Sequence, residues 1–67
     1  MFVEDLKEDF ELVTDSQDIK AVLDSIGKMD MYDEVGCLFV LVGDGDYDKV
    51  YYCESSVPYL TEYVYEI

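Results

Sequence analysis

Residues 35–42 read Val-Gly-Cys-Leu-Phe-Val-Leu-Val, a run without charge, closed by Gly43 and the acidic stretch Asp44-Gly45-Asp46-Tyr47-Asp48. A second apolar run starts at Val50. Short runs of β-branched and aromatic residues bounded by Gly and Asp predict strands, and two of them around a Gly/Asp loop predict a hairpin. The expected elements are a strand over 35–42, a loop over 43–48 and a strand over 49–54. Centring the turn on Gly45 sets Val42 opposite Asp48, Val40 opposite Val50, Leu38 opposite Tyr52 and Cys37 opposite Cys53. One face of the hairpin then carries Leu38, Val40, Val42, Val50 and Tyr52. The other carries Cys37, Phe39, Leu41, Tyr51 and Cys53. Both faces are apolar, so both call for cover.

Downstream, Ser55-Ser56-Val57-Pro58 signals a turn, and Leu60–Glu66 alternates apolar and polar residues as a third, antiparallel strand would. Upstream, Thr14, Asp15 and Ser16 are good helix N-caps, and Ile19, Val22, Leu23 and Ile26 follow at i, i+3, i+4, i+7. This predicts a helix over 16–28, ending near Gly27 with Lys28 in its last turn. Met29–Glu34 reads as a polar connection. At the start, Phe2, Val3, Leu6, Phe10 and Val13 recur at helical spacing with acids between them, which predicts a short amphipathic helix over 3–10. The alternative is that Phe10–Val13 is extended; helix is the preferred reading for 3–10, and residues 11–14 stay open. The expected fold class is α+β: two N-terminal helices packed on a three-stranded antiparallel sheet, in two layers and a single domain over 1–67.

The chain has 67 residues, 17 of them acidic, with four Lys or Arg and no His, for a net charge of −13. Phosphate contacts need Lys and Arg, so this composition argues against binding nucleic acid or an anionic membrane. Half of the residues are hydrophobic, which argues against a disordered acidic tail. No segment has the length of a membrane span, the N-terminus does not read as a secretory signal, and the two cysteines are too few for a disulfide scaffold. A cytoplasmic protein with free thiols is expected.

The chemistry of catalysis has little to build on. Without His there is no Ser–His or Cys–His pair, without Arg there is no usual phosphate clamp, and no glycine-rich phosphate loop or nucleophile elbow is present. Asp44, Asp46 and Asp48 match the first half of a calcium loop, but Lys49 stands where its glycine should be and Ser55 where its glutamate should be. They read as a solvated turn. Cys37 and Cys53 read as two small apolar residues, since a zinc site here would lack His. No enzyme, cofactor or metal is expected.

Two features remain. Five of the seven tyrosines, Tyr51, Tyr52, Tyr59, Tyr63 and Tyr65, fall in or beside the last two strands. Tyr suits a half-buried pleated surface and is also enriched at interfaces. With helices on one face only, Phe39, Tyr51, Tyr63 and Tyr65 would form an exposed patch on the other. Second, Glu4–Glu8 and Asp5–Asp9 place like charges at i, i+4, where they repel. Rows of carboxylates at this spacing imitate a phosphate backbone.

In size, charge and aromatic content the chain resembles the small acidic inhibitors that phages encode against host enzymes: DNA mimics, anti-restriction proteins and anti-CRISPR proteins. The resemblance implies a non-enzymatic inhibitor, of the kind phages or mobile elements encode, acting in the host cytoplasm. It would dock on the basic surface of a nucleic-acid-handling protein. The expected partner-binding residues are Glu4, Asp5, Glu8, Asp9, Asp44, Asp46 and Asp48, with Phe39, Tyr51, Tyr63 and Tyr65 as anchors. The alternatives are an immunity protein or antitoxin against a basic toxin nuclease, and a self-associating module that buries its apolar sheet face in a homodimer.

Overall fold

A computed structural model describes residues 1–6 and 9–67. The described strands form one sheet of four antiparallel strands, in sequence order: β1 (Glu11–Val13), β2 (Cys37–Val42), β3 (Tyr47–Cys53) and β4 (Tyr65–Glu66). Its α-helix, α1 (Ser16–Ser25), lies between β1 and β2 in sequence, and 3-10 turns occupy Val3–Asp5 and Met29–Glu34. Two helices on a three-stranded sheet is therefore not the architecture.

The hairpin forms where the sequence puts it. Cys37 pairs with Cys53, Leu38 with Tyr52, Phe39 with Tyr51, Val40 with Val50 and Leu41 with Lys49. The register shifts at the loop end, where Val42 pairs with Tyr47 instead of Asp48. Asp48 becomes an extra residue in the ladder, its carboxylate lying where a Cβ on Gly43 would stand. The strands consequently run over 37–42 and 47–53 rather than 35–42 and 49–54.

The helix also forms where the apolar periodicity lies. Asp15 caps it, its Oδ1 accepting from the N–H groups of Gln17 (2.9 Å) and Asp18 (3.3 Å). It stops at Ser25, short of residue 28. The Lys28 N–H donates to the Leu23 carbonyl (2.8 Å) and the Gly27 N–H to that of Asp24 (3.2 Å), which together close the helix C-terminus. This closure needs φ +72° at Gly27, which is cheap only without a side chain. Ile19, Val22 and Leu23 then pack on Leu38, Val40 and Val50, forming the core on the helix side of the sheet.

The N-terminus departs from expectation. In place of a helix over 3–10, a single 3-10 turn ends at Asp5, and Leu6 is extended with ψ 143°. The Asp5 carboxylate accepts from the Phe2 N–H (3.1 Å), capping that turn. A helix here would have stacked acids at i, i+4, each pair costing a few tenths of a kcal/mol. Further on, β1 forms, and its Glu11, Leu12 and Val13 pair with Val40, Phe39 and Leu38. That pairing occupies the edge of β2 that would otherwise expose a row of backbone N–H and C=O groups.

The C-terminal strand is also shorter than the alternation over 60–66 suggests. Only Tyr65 and Glu66 pair with β3, opposite Tyr52 and Tyr51. Before them the chain turns to the N-terminus: Phe2 bridges to Tyr63, the Val64 N–H donates to the Met1 carbonyl (2.8 Å), and the Val3 N–H donates to that of Glu62 (2.9 Å). The consequence is a second core on the face away from the helix. Cys37, Phe39, Tyr51, Cys53 and Val64 are buried there, with Val3, Leu6 and Phe10 packed over them.

Candidate partner-binding surface

The expected acidic residues that are described lie on the surface. Glu4 and Asp5 are exposed on the first 3-10 turn, and Asp9 is exposed in the turn before β1. Glu8 lies outside the described residues. Because the turn ends at Asp5 and Leu6 is extended, the expected row of carboxylates along a first helix does not form among the described residues. Asp44, Asp46 and Asp48 are exposed around the hairpin end, and the Asp46 carboxylate accepts from the Tyr47 N–H (2.8 Å). Of the 17 acids, every one described is exposed except Glu62, which is half-buried.

The expected aromatic anchors divide into two pairs. Phe39 and Tyr51 are buried, 8% and 7% exposed, under the N-terminal segment, so neither can meet a partner without unfolding that cover. The uncovered sheet face on which the homodimer alternative rested is therefore covered by the chain itself. Tyr63 and Tyr65 are exposed, 46% and 41%.

These two tyrosines belong to a larger feature. They stand two residues apart in extended chain and so share a face, with ring centroids 4.9 Å apart. Tyr52, the cross-strand partner of Tyr65, stacks on it at 5.2 Å with planes 28° apart. Phe2, bridged to Tyr63, meets that ring edge to face at 5.4 Å. The four rings make one continuous ladder, Tyr52–Tyr65–Tyr63–Phe2, along the edge of the sheet. At its Tyr52 end, Asp33, Glu34 and Glu54 line a shallow depression with the ring. Desolvation, followed by the charges of Glu34 and Glu54, pushes the Tyr52 hydroxyl pKa above its ordinary value of 10.0. Alternate tyrosines announce half of this ladder in the sequence. Phe2 and Tyr52 join it only through strand pairing, which no local pattern encodes.

Neither cysteine takes part. Both are buried and unbridged, and burial together with the neighbouring Cys53 pushes the Cys37 thiol up to about 12, the opposite of an activated nucleophile. Among the described residues no charged or polar residue is buried, and no three His, Cys, Asp or Glu side chains cluster as metal ligands would. No helix among them is long and apolar enough to cross a membrane.

Fold and surface together define a small acidic α+β protein with, among the described residues, one α-helix on a four-stranded sheet and an exposed aromatic edge. Residues 1–67 match the family described as "Domain of unknown function (DUF6839)", and the chain belongs to that family. It is similar to the crystal structure of TTMA177, a hypothetical protein from Thermus thermophilus phage TMA. The two share 42% sequence identity with a TM-score of 0.83, over 100% of this chain and 93% of that one. No curated protein matches the chain.

Proposed function

We propose that this chain is a phage-encoded, non-enzymatic regulator that docks on a basic surface of a nucleic-acid-handling protein of the host and inhibits it by occupying the nucleic-acid site. The observation that carries this reading is the distribution of charge. A net charge of −13 is held by carboxylates that are exposed among the described residues in all but the half-buried Glu62, with none drawn into a buried pair or site. Self-repulsion at this density destabilises the compact state, a cost that binding to a basic partner would relieve. The similarity to a protein of phage TMA supports the phage origin. An acidic surface of this kind speeds encounter with a basic partner and makes the complex sensitive to salt.

The experiment is retention of host-lysate proteins on the immobilised chain, elution in salt steps, and titration of each retained protein with DNA or RNA in the presence and absence of the chain. The reading expects a basic nucleic-acid-binding protein that elutes with rising salt. That protein should lose its nucleic acid competitively, with inhibition relieved by excess nucleic acid. A retained partner that holds the chain and its nucleic acid together, each with unchanged affinity, overturns the mimicry.

A further inference from the structure

We infer that the Tyr52–Tyr65–Tyr63–Phe2 ladder, with Glu34 and Glu54 at its end, is a docking strip for arginine side chains of the partner protein. The inference rests on the reading of the chain as a ligand for a basic surface and adds which of its surfaces makes the contact and with which residue type.

The rings are held in place before any partner arrives. Tyr65 is fixed by pairing with β3 and Tyr63 by its bridge to Phe2, and each ring touches the next at 4.9 to 5.4 Å. Exposed aromatic area that is already ordered gives contact at little entropic cost. Phe2, Tyr63 and Tyr65 leave 45%, 46% and 41% of their surface in solvent. An apolar partner patch would meet carboxylates at the Tyr52 end, where Asp33, Glu34 and Glu54 line the same depression as the ring, and would strip their water without replacing it. A cationic side chain satisfies both parts of the surface. A guanidinium is planar, lies flat on a tyrosine ring and presents its N–H fork to a carboxylate. An ammonium can pair with the carboxylate but does not stack. Elsewhere on the protein one cation–ring contact already exists, in which the Lys20 Nζ sits 5.1 Å from the centroid of Tyr32. Charge complementarity and ring geometry thus select arginine over lysine, and both over apolar groups.

The test compares hexa-arginine with hexa-lysine at low salt, by calorimetry and by the tyrosine ring resonances of the intact chain. Pure charge attraction predicts equal affinities for two peptides of equal charge. The ladder predicts tighter binding of hexa-arginine, on the order of twofold for each ring engaged, with shifts in the ring signals of Tyr52, Tyr63 and Tyr65. Tyr63→Leu and Tyr65→Leu keep apolar bulk and remove the stacking face. They should abolish the arginine preference, with the larger loss of affinity falling on hexa-arginine and only a small one on hexa-lysine. Glu34→Gln with Glu54→Gln should weaken both peptides, and Asp44→Asn with Asp46→Asn should leave the preference in place. Equal affinities, or a preference that survives both leucine variants, overturn the ladder. A preference that disappears with Asp44 and Asp46 also overturns it, and leaves docking on a basic surface standing through the hairpin loop. Failure of both peptides to bind at low salt removes the ladder and the parent reading together.

Discussion

The ring of Phe10 lies against the ring of Tyr51, centroids 5.6 Å apart and planes tilted by 59°. The contact joins the approach to β1 to the middle of β3, on the face opposite the helix. It turns a sheet with two apolar faces into one whose second face is closed by its own N-terminal segment, and it separates tyrosines that hold the fold from tyrosines that face outward.

Tyr51 and Tyr63 should therefore respond differently to truncation. Tyr51→Ala removes a ring from the second core and should cost about 3–5 kcal/mol, as large-to-small changes of buried aromatics do. Tyr63→Ala removes a half-exposed ring and should change stability by about 1 kcal/mol, the worth of its edge contacts. Urea denaturation of the two variants checks this. Equal losses would mean that the N-terminal cover contributes nothing to the fold.

Leu23 is 0% exposed and sits where α1 meets Leu38 and Val40. Leu23→Ala should cost about 2–5 kcal/mol. A single core in a domain this small supplies no more than about 3–5 kcal/mol. The variant should be largely unfolded at 37 °C, as read by far-ultraviolet circular dichroism.

Alkaline pH should destabilise the protein through Cys37. Its folded pKa is raised from 9.0 to about 12, chiefly by burial and then by the charge of Cys53. The unfolded thiol ionises first, so above pH 9 the unfolded state binds fewer protons and stability falls with rising pH. The contribution is whole below pH 9 and is lost as pH climbs toward 12. Tyr52, also raised, acts in the same direction. Melting temperature between pH 8 and 11 should decline less steeply in Cys37→Ala than in the parent, measured from each protein's own value at pH 8. Iodoacetamide at pH 8 should label the parent slowly when folded and rapidly in denaturant.

Charge neutralisation in the hairpin loop should act on association. Asp44 and Asp46 are exposed and Asp46 accepts only a local backbone N–H, so Asp44→Asn with Asp46→Asn should leave the fold intact. Against a basic partner, stopped-flow mixing should give a lower on-rate at low salt and a convergence with the parent as salt rises, since screening removes the steering. An unchanged on-rate at low salt would take the loop out of the encounter.

What the sequence by itself determined is local. The hairpin register follows from two apolar runs separated by a Gly/Asp turn, because period-two alternation and a short loop leave few ways to pair them. The helix follows from a 3.6-residue apolar period between Asp15 and Gly27. Tyr63 and Tyr65 could be seen to share a face from their spacing alone. The two ends of the chain were decided elsewhere. Phe2, Val3, Leu6 and Phe10 have helical spacing, yet their like-charged neighbours oppose a helix, and β2 offers an open edge and an uncovered face. Val64 is buried because Met1 and Val3 pair beside it, and Phe2 completes the aromatic ladder for the same reason. Those contacts join residues at opposite ends of the sequence. Their free energy comes from covering a shared sheet face, which exists only once the hairpin has formed, and no local propensity records it.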